Sequence, residues 1–149
     1  MRRLMAFLGI LNLGLGFAQP TLVYEPPKVA KFEVFLHAGP SDERDYYVDA
    51  GLDWRIGYPF LAGIFYEKER GMDGVGVRVK VRTSLFWKVK NDLGLGVVLE
   101  KRTDKRAGLR VEAEQVVFLR RSFSLRLLEA YVFGSREVER WTVAVGFGF

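Results

Sequence analysis

Arg78, Lys80 and Arg82 recur at every second position, and acids recur at the same or a related spacing elsewhere, as Asp49 with Asp53 and Glu112 with Glu114. In an extended chain a period of two places such residues on one face. Facing an enclosed space, a basic row of this kind could form an anion-selective constriction, or it could neutralise carboxylates brought to it by neighbouring strands. His37 is the only histidine, which excludes any constellation that needs two. The nearest hydroxyl, Ser41, lies in an expected loop, and His37-Ala38-Gly39 has no His-x-Ser pattern that would make the imidazole a general base. The absence of cysteine excludes a disulfide framework, a thiolate nucleophile and a thiolate metal site. The glycine-rich stretch 71–76 leads into a strand pattern and not a helix, so it does not form a phosphate cradle. No cofactor and no metal site is expected.

The elements that must carry these charges are strands. Residues 75–89 set Val75, Val77, Val79, Val81, Thr83, Leu85, Trp87 and Val89 against Gly76, Arg78, Lys80, Arg82, Ser84, Phe86 and Lys88. Helical spacing would mix the two sets. Residues 47–58 and 141–149 alternate as cleanly, and 31–38, 60–68, 93–100, 109–117 and 122–133 do so less strictly. In the last of these the apolar phase moves from Phe123, Leu125 and Leu127 to Leu128, Ala130 and Val132, which predicts a β-bulge near Leu127-Leu128. Eight strands result. Their expected connections, 39–45, 59, 69–74, 90–92, 101–108, 118–121 and 134–140, alternate long and polar with short and tight.

The chain of 149 residues is a single domain, and its first segments are not part of that domain. A basic start at Arg2-Arg3, an uncharged and mostly apolar run over 4–17, and small residues at Gly16 and Ala18 predict a signal peptide cleaved after residue 18. The run is too short for a membrane-spanning helix, which needs about 20 apolar residues. Residues 19–29, with Pro20, Pro26 and Pro27, read as an extended leader, and 30–149 as the folded domain. The formal charge of +5 falls to +3 without Arg2 and Arg3. So small an excess does not indicate a nucleic-acid binder.

Alternation leaves open whether the apolar face lines a cavity, as in a soluble barrel holding an apolar ligand, or faces lipid. Three features favour lipid. The apolar sets of 75–89, 48–58 and 141–149 carry no charge; Gly51, Gly57, Gly76, Gly94, Gly96, Gly146 and Gly148 fall on the polar face, where a narrow lumen needs small residues; and Trp54, Tyr58, Phe60, Tyr66, Trp87, Trp141 and Phe149 lie on the apolar face, mostly toward strand ends. Trp141, Val143, Val145, Phe147 and Phe149, alternating with small residues, resemble the terminal strand of small eight-stranded bacterial outer-membrane β-barrel proteins.

That resemblance implies an all-β, eight-stranded antiparallel up-and-down transmembrane barrel in the bacterial outer membrane. It also implies that these five residues are the signal read by the barrel-insertion machinery. Outer-membrane lipids are the expected partners, and a closed barrel is expected to be a monomer. The long connections, at about six to eight residues, are too short for a large adhesin. Some members of the family modify lipid with a His and a Ser, which keeps a lipid-modifying enzyme, like the soluble barrel, as an alternative. Asp42, Glu43 and Asp45 could hold a divalent cation or lipopolysaccharide counter-ions, but read as solvated loop charge.

The expected interior network comprises Asp49, Asp53, Arg55, Arg78, Lys80, Arg82, Glu100, Arg110, Glu112, Glu114 and Arg126, with Glu33 and Glu67. A turn at 90–92 would set Arg82 opposite Glu100, and one at 118–121 would set Glu114 opposite Arg126. Charges so balanced in a confined space should pair. The expected function is a structural or envelope role with a plugged interior, not a wide pore.

Overall fold

The structure, a computed structural model, describes residues 31–40, 46–69, 71–86, 88–101, 105–120, 122–134 and 140–149. The expected signal peptide and leader, Trp87, and the acids Asp42, Glu43 and Asp45 lie outside the described residues. The elements are β1 (Phe32–Pro40), β2 (Tyr46–Gly57), β3 (Phe60–Glu69), β4 (Met72–Phe86), β5 (Val89–Lys101), β6 (Lys105–Arg120), β7 (Phe123–Gly134) and β8 (Arg140–Gly148). They form one closed antiparallel barrel in sequence order.

β1 closes on β8 through the pairs Phe35–Gly148 to Ala38–Val145, and Val34 and Phe149 exchange both backbone hydrogen bonds at 2.9 and 2.8 Å. No sheet edge remains, which is what a sheet requires in a solvent that cannot hydrogen-bond to it. The closure is staggered. From Phe35 the paired row runs through Gly51, Phe65, Gly76, Val98 and Gly108 to Gly134 on β7, whereas the other way round it passes Gly148 to Ser124. The two meet β7 ten residues apart, so the strands tilt strongly against the barrel axis.

One end carries the tight turns at 58–59, 87–88 and 121–122, each beside a register shift: Arg55/Gly57, Ser84/Phe86 and Phe118/Arg120. The other end carries the connections after β1, β3, β5 and β7. The one after β3 is only residues 70–71, with Gly71 at φ 68°, and not the long 69–74 of the sequence reading.

Two further expectations are corrected. The hairpin between β4 and β5 turns at 87–88 and not at 90–92, so Arg82 pairs with Asp92 and Glu100 pairs with Gly74. β7 has no bulge at Leu127-Leu128; its ladders to β6 and β8 pass through that point unshifted. Leu128, Ala130 and Val132 are buried inside, packed with Tyr47 and Ala144 or with Phe35, Phe65 and Val98. Hydrophobicity therefore does not mark the outer face of β7, because part of the lumen wall is itself apolar.

Candidate functional site

The two faces of β4 settle the orientation of the barrel. Val77 is 59% exposed on the outside and Arg78 is 2% exposed on the inside. The outer surface carries Val34, Leu36, Ile64, Val75, Val79, Leu95, Leu99, Val145 and other large apolar residues in the open. Aromatic residues gather at its two ends. Phe32, Phe60, Phe123, Phe147 and Phe149 stand at the tight-turn end, with Phe123 stacked on Phe147 at 5.8 Å and tilted against Phe149 at 5.5 Å. Tyr46, Tyr66, Tyr131, Phe133 and Trp141 stand at the other. Such belts are the usual anchors at membrane–water boundaries.

Of the eleven charged residues expected in the interior, ten are buried there, and Arg55 is half-buried near a turn. Near the tight-turn end Arg82 clamps Asp92 with two bonds of 2.8 and 2.7 Å and binds Glu33, which Arg126 also binds. At mid-height Lys80 and Arg78 share Asp53, at 2.9 and 3.0 Å. Lys80 also bonds Glu114, and Arg78 meets Glu112 at 3.0 Å. Higher up, Arg110 binds Asp49, Glu67 and Glu112 at 2.9, 2.6 and 2.7 Å and the Tyr47 hydroxyl at 2.7 Å. Arg140 tops the network, bonding Glu67 and meeting Glu100 at 2.7 Å. Cations also rest on rings: Arg78 lies 4.1 Å from the centre of Phe35 and Arg110 4.4 Å from that of Phe65.

Glycines make room for these long side chains. A β-carbon at Gly94 would stand 2.6 Å from Cγ of Glu112, and one at Gly148 would stand 2.3 Å from Nε of Arg126. Gly57 differs from the other polar-face glycines: it is exposed at a register shift with nothing within 4 Å.

His37 is fully buried in the lumen, its Nδ1 at 2.5 Å from Asp49 and its Nε2 at 3.1 Å from Glu114. Ionised carboxylates only accept, so with both partners charged the ring must donate from both nitrogens and serves as one more cation of the network. A ring held in this way inside the wall cannot touch a lipid outside it.

Tyr47 points inward on the polar face of 47–58, and Glu69, Lys90, Asp92 and Arg140, which the sequence reading places in connections, point inward as well. The signal that could have found Lys90 and Asp92 is their even spacing with Gly94 and Gly96, which continues the inward face of β5. Trp141, Val143, Val145, Phe147 and Phe149 all occupy outward positions of the last strand or its end, opposite Thr142, Ala144, Gly146 and Gly148.

No family pattern and no curated protein matches the chain. Its shape does match solved structures. A de novo designed transmembrane β-barrel superposes with a TM-score of 0.70 at 11% identity, covering 84% of this chain and 98% of the other. The N-terminal β-barrel domain of Pseudomonas aeruginosa OprF superposes with a TM-score of 0.70 at 8% identity over 79% and 95%. The chain has the fold of a small outer-membrane β-barrel. The outer membrane enzyme PagL shares that fold, with a TM-score of 0.62 at 9% identity over 78% and 98% of the two chains. At such identities the likeness carries the architecture and not an activity.

Proposed function

We propose that this protein is an integral barrel of the bacterial outer membrane with a structural, envelope-supporting role, whose lumen is plugged by paired charges and conducts no ions. The observation that carries this reading is the division of the two faces: an uncovered apolar exterior around an ionised, hydrogen-bonded interior. A soluble ligand-binding barrel needs the reverse arrangement. A lipid-modifying enzyme built on His37 needs that ring on the outside, and it lies within. Export by the amino-terminal segment, recognition of the last strand by the insertion machinery, and a monomeric state belong to the same proposal.

The test is made on the chain without residues 1–18, refolded from urea. It should require detergent for solubility, migrate faster on gels before heating than after, and give no channel events in planar bilayers. Solubility in plain buffer would overturn the membrane reading, and porin-like conductance would overturn the plug.

A further inference from the structure

The apolar exterior is interrupted at the loop end by a short charged row. Lys68 pairs with Asp73, Asp73 with Lys101, and Lys101 with Lys105, so four adjacent strands present these residues side by side, all exposed on the outer face. Three strand spacings of about 4.8 Å put Lys68 and Lys105 roughly 14 Å apart. The Asp73 carboxylate accepts a hydrogen bond of 2.5 Å from the Tyr66 hydroxyl. Among the described residues the three lysines have no ion-pair partner. Two residues further down, and displaced by one strand so that it runs across β2 to β5, opens a groove bordered by Ala50, Ile64, Tyr66, Val75, Val97 and Leu99; it lies below Lys68 and Lys101, with Lys105 on β6 to one side. It exists because Ala50 is small between larger outward neighbours.

We propose that this face binds one phosphorylated, multiply acylated glycolipid of the outer leaflet. Its phosphates lie on Lys68, Lys101 and Lys105, and its acyl chains lie in the groove below Lys68 and Lys101. The inference rests on the membrane reading proposed above, with the end that carries the connections after β1, β3, β5 and β7 at the outer leaflet, as in outer-membrane barrels whose tight turns face the periplasm. Three cations beside one acid give the row a net charge of +2, spread across four strands. That distribution suits two separated phosphates on one rigid headgroup better than the single phosphate of a phospholipid. Apolar contact for the chains begins directly below the cations, at the depth where acyl chains start.

The full chain, folded in detergent, is mixed with equal amounts of a bisphosphorylated multiply acylated disaccharide and phosphatidylglycerol, and lipid retention is read by native mass spectrometry. One glycolipid should be retained with at least tenfold preference. The combined variant Lys68→Gln, Lys101→Gln, Lys105→Gln should lose that preference about tenfold, Ala50→Phe should reduce retention with all lysines in place, and Asp73→Asn should raise it. Unheated gel mobility checks that each variant is folded. Equal retention of both lipids, or unchanged retention in the triple variant, would overturn the site. A chain that stays soluble without detergent defeats the membrane reading, whereas one that needs detergent but keeps no glycolipid defeats this inference alone.

Discussion

Two glutamates at similar height in the barrel have opposite surroundings. Glu114 points inward, where His37, Lys80 and Arg126 all reach it. Replacing it with alanine takes one carboxylate from three enclosed side chains, each of which keeps an acidic partner in Asp49, Asp53 or Glu33, and should cost about 3 kcal/mol in urea unfolding, followed by tryptophan fluorescence. Glu129 sits on the outward phase of β7. One of its oxygens accepts a 2.9 Å bond from the Trp141 indole, and the other is buried without a partner. Glu129→Gln removes a charge from the lipid side while keeping an acceptor for Trp141, and should raise stability by about 1 kcal/mol in the same assay. Unchanged or lower stability would show that this carboxylate is fully compensated. The inward charges were legible in the sequence because they repeat at every second position. Glu129 was not, because Leu128, Ala130 and Val132 are apolar residues of the lumen wall and reversed the expected phase of β7.

Strand faces and strand partners are different kinds of information, and only the first is carried by alternation. A register slip of any even number of residues leaves every side chain on its own face. The sequence reading therefore put Arg82 and Arg126 inside, where they are, while naming Glu100 instead of Asp92 as the partner across from Arg82. It was likewise two residues off for Glu114, which pairs in register with Leu128 yet still reaches Arg126 at 2.9 Å along the diagonal. The turns decide register, and the turn at 87–88 has no Asn-Gly or Asp-Gly pair to announce it. Glycine placement tests the packing of these elements. Gly94→Val drives a branched side chain into Glu112 and should abolish the fast-migrating folded band on unheated gels. Gly57→Ala, which meets nothing, should leave stability within about 0.5 kcal/mol.

For the barrel as a whole, the proposed plug consists of linked pairs and not one obstruction, so its removal should be graded. Deleting Arg82 with Asp92, and Arg110 with Glu112, takes out matched charges at two heights without leaving a simple excess of either sign. Such a quadruple alanine variant, checked for folding by heat-modifiable gel mobility, should give measurable ion flux in planar bilayers where the parent is expected to give none. A silent variant would show that the remaining side chains seal the lumen by themselves. Fold class, strand number and the sorting of charge to the inside were all readable from sequence, since each follows from local periodicity and composition. Stagger and partner choice were not, since they are properties of the closed circuit.

The seam between Val34 and Phe149 sets an order of events. Those two residues stand 115 positions apart in the chain, and each supplies the other's backbone partners. A polypeptide arriving from its amino terminus must carry β1 with one flank bare until the far end has come round. During that interval the bare flank could template pairing with another molecule. Long-range contacts of this kind also form slowly. Spontaneous refolding should therefore lose yield as protein concentration rises, and an assisting factor would have to shield that flank first.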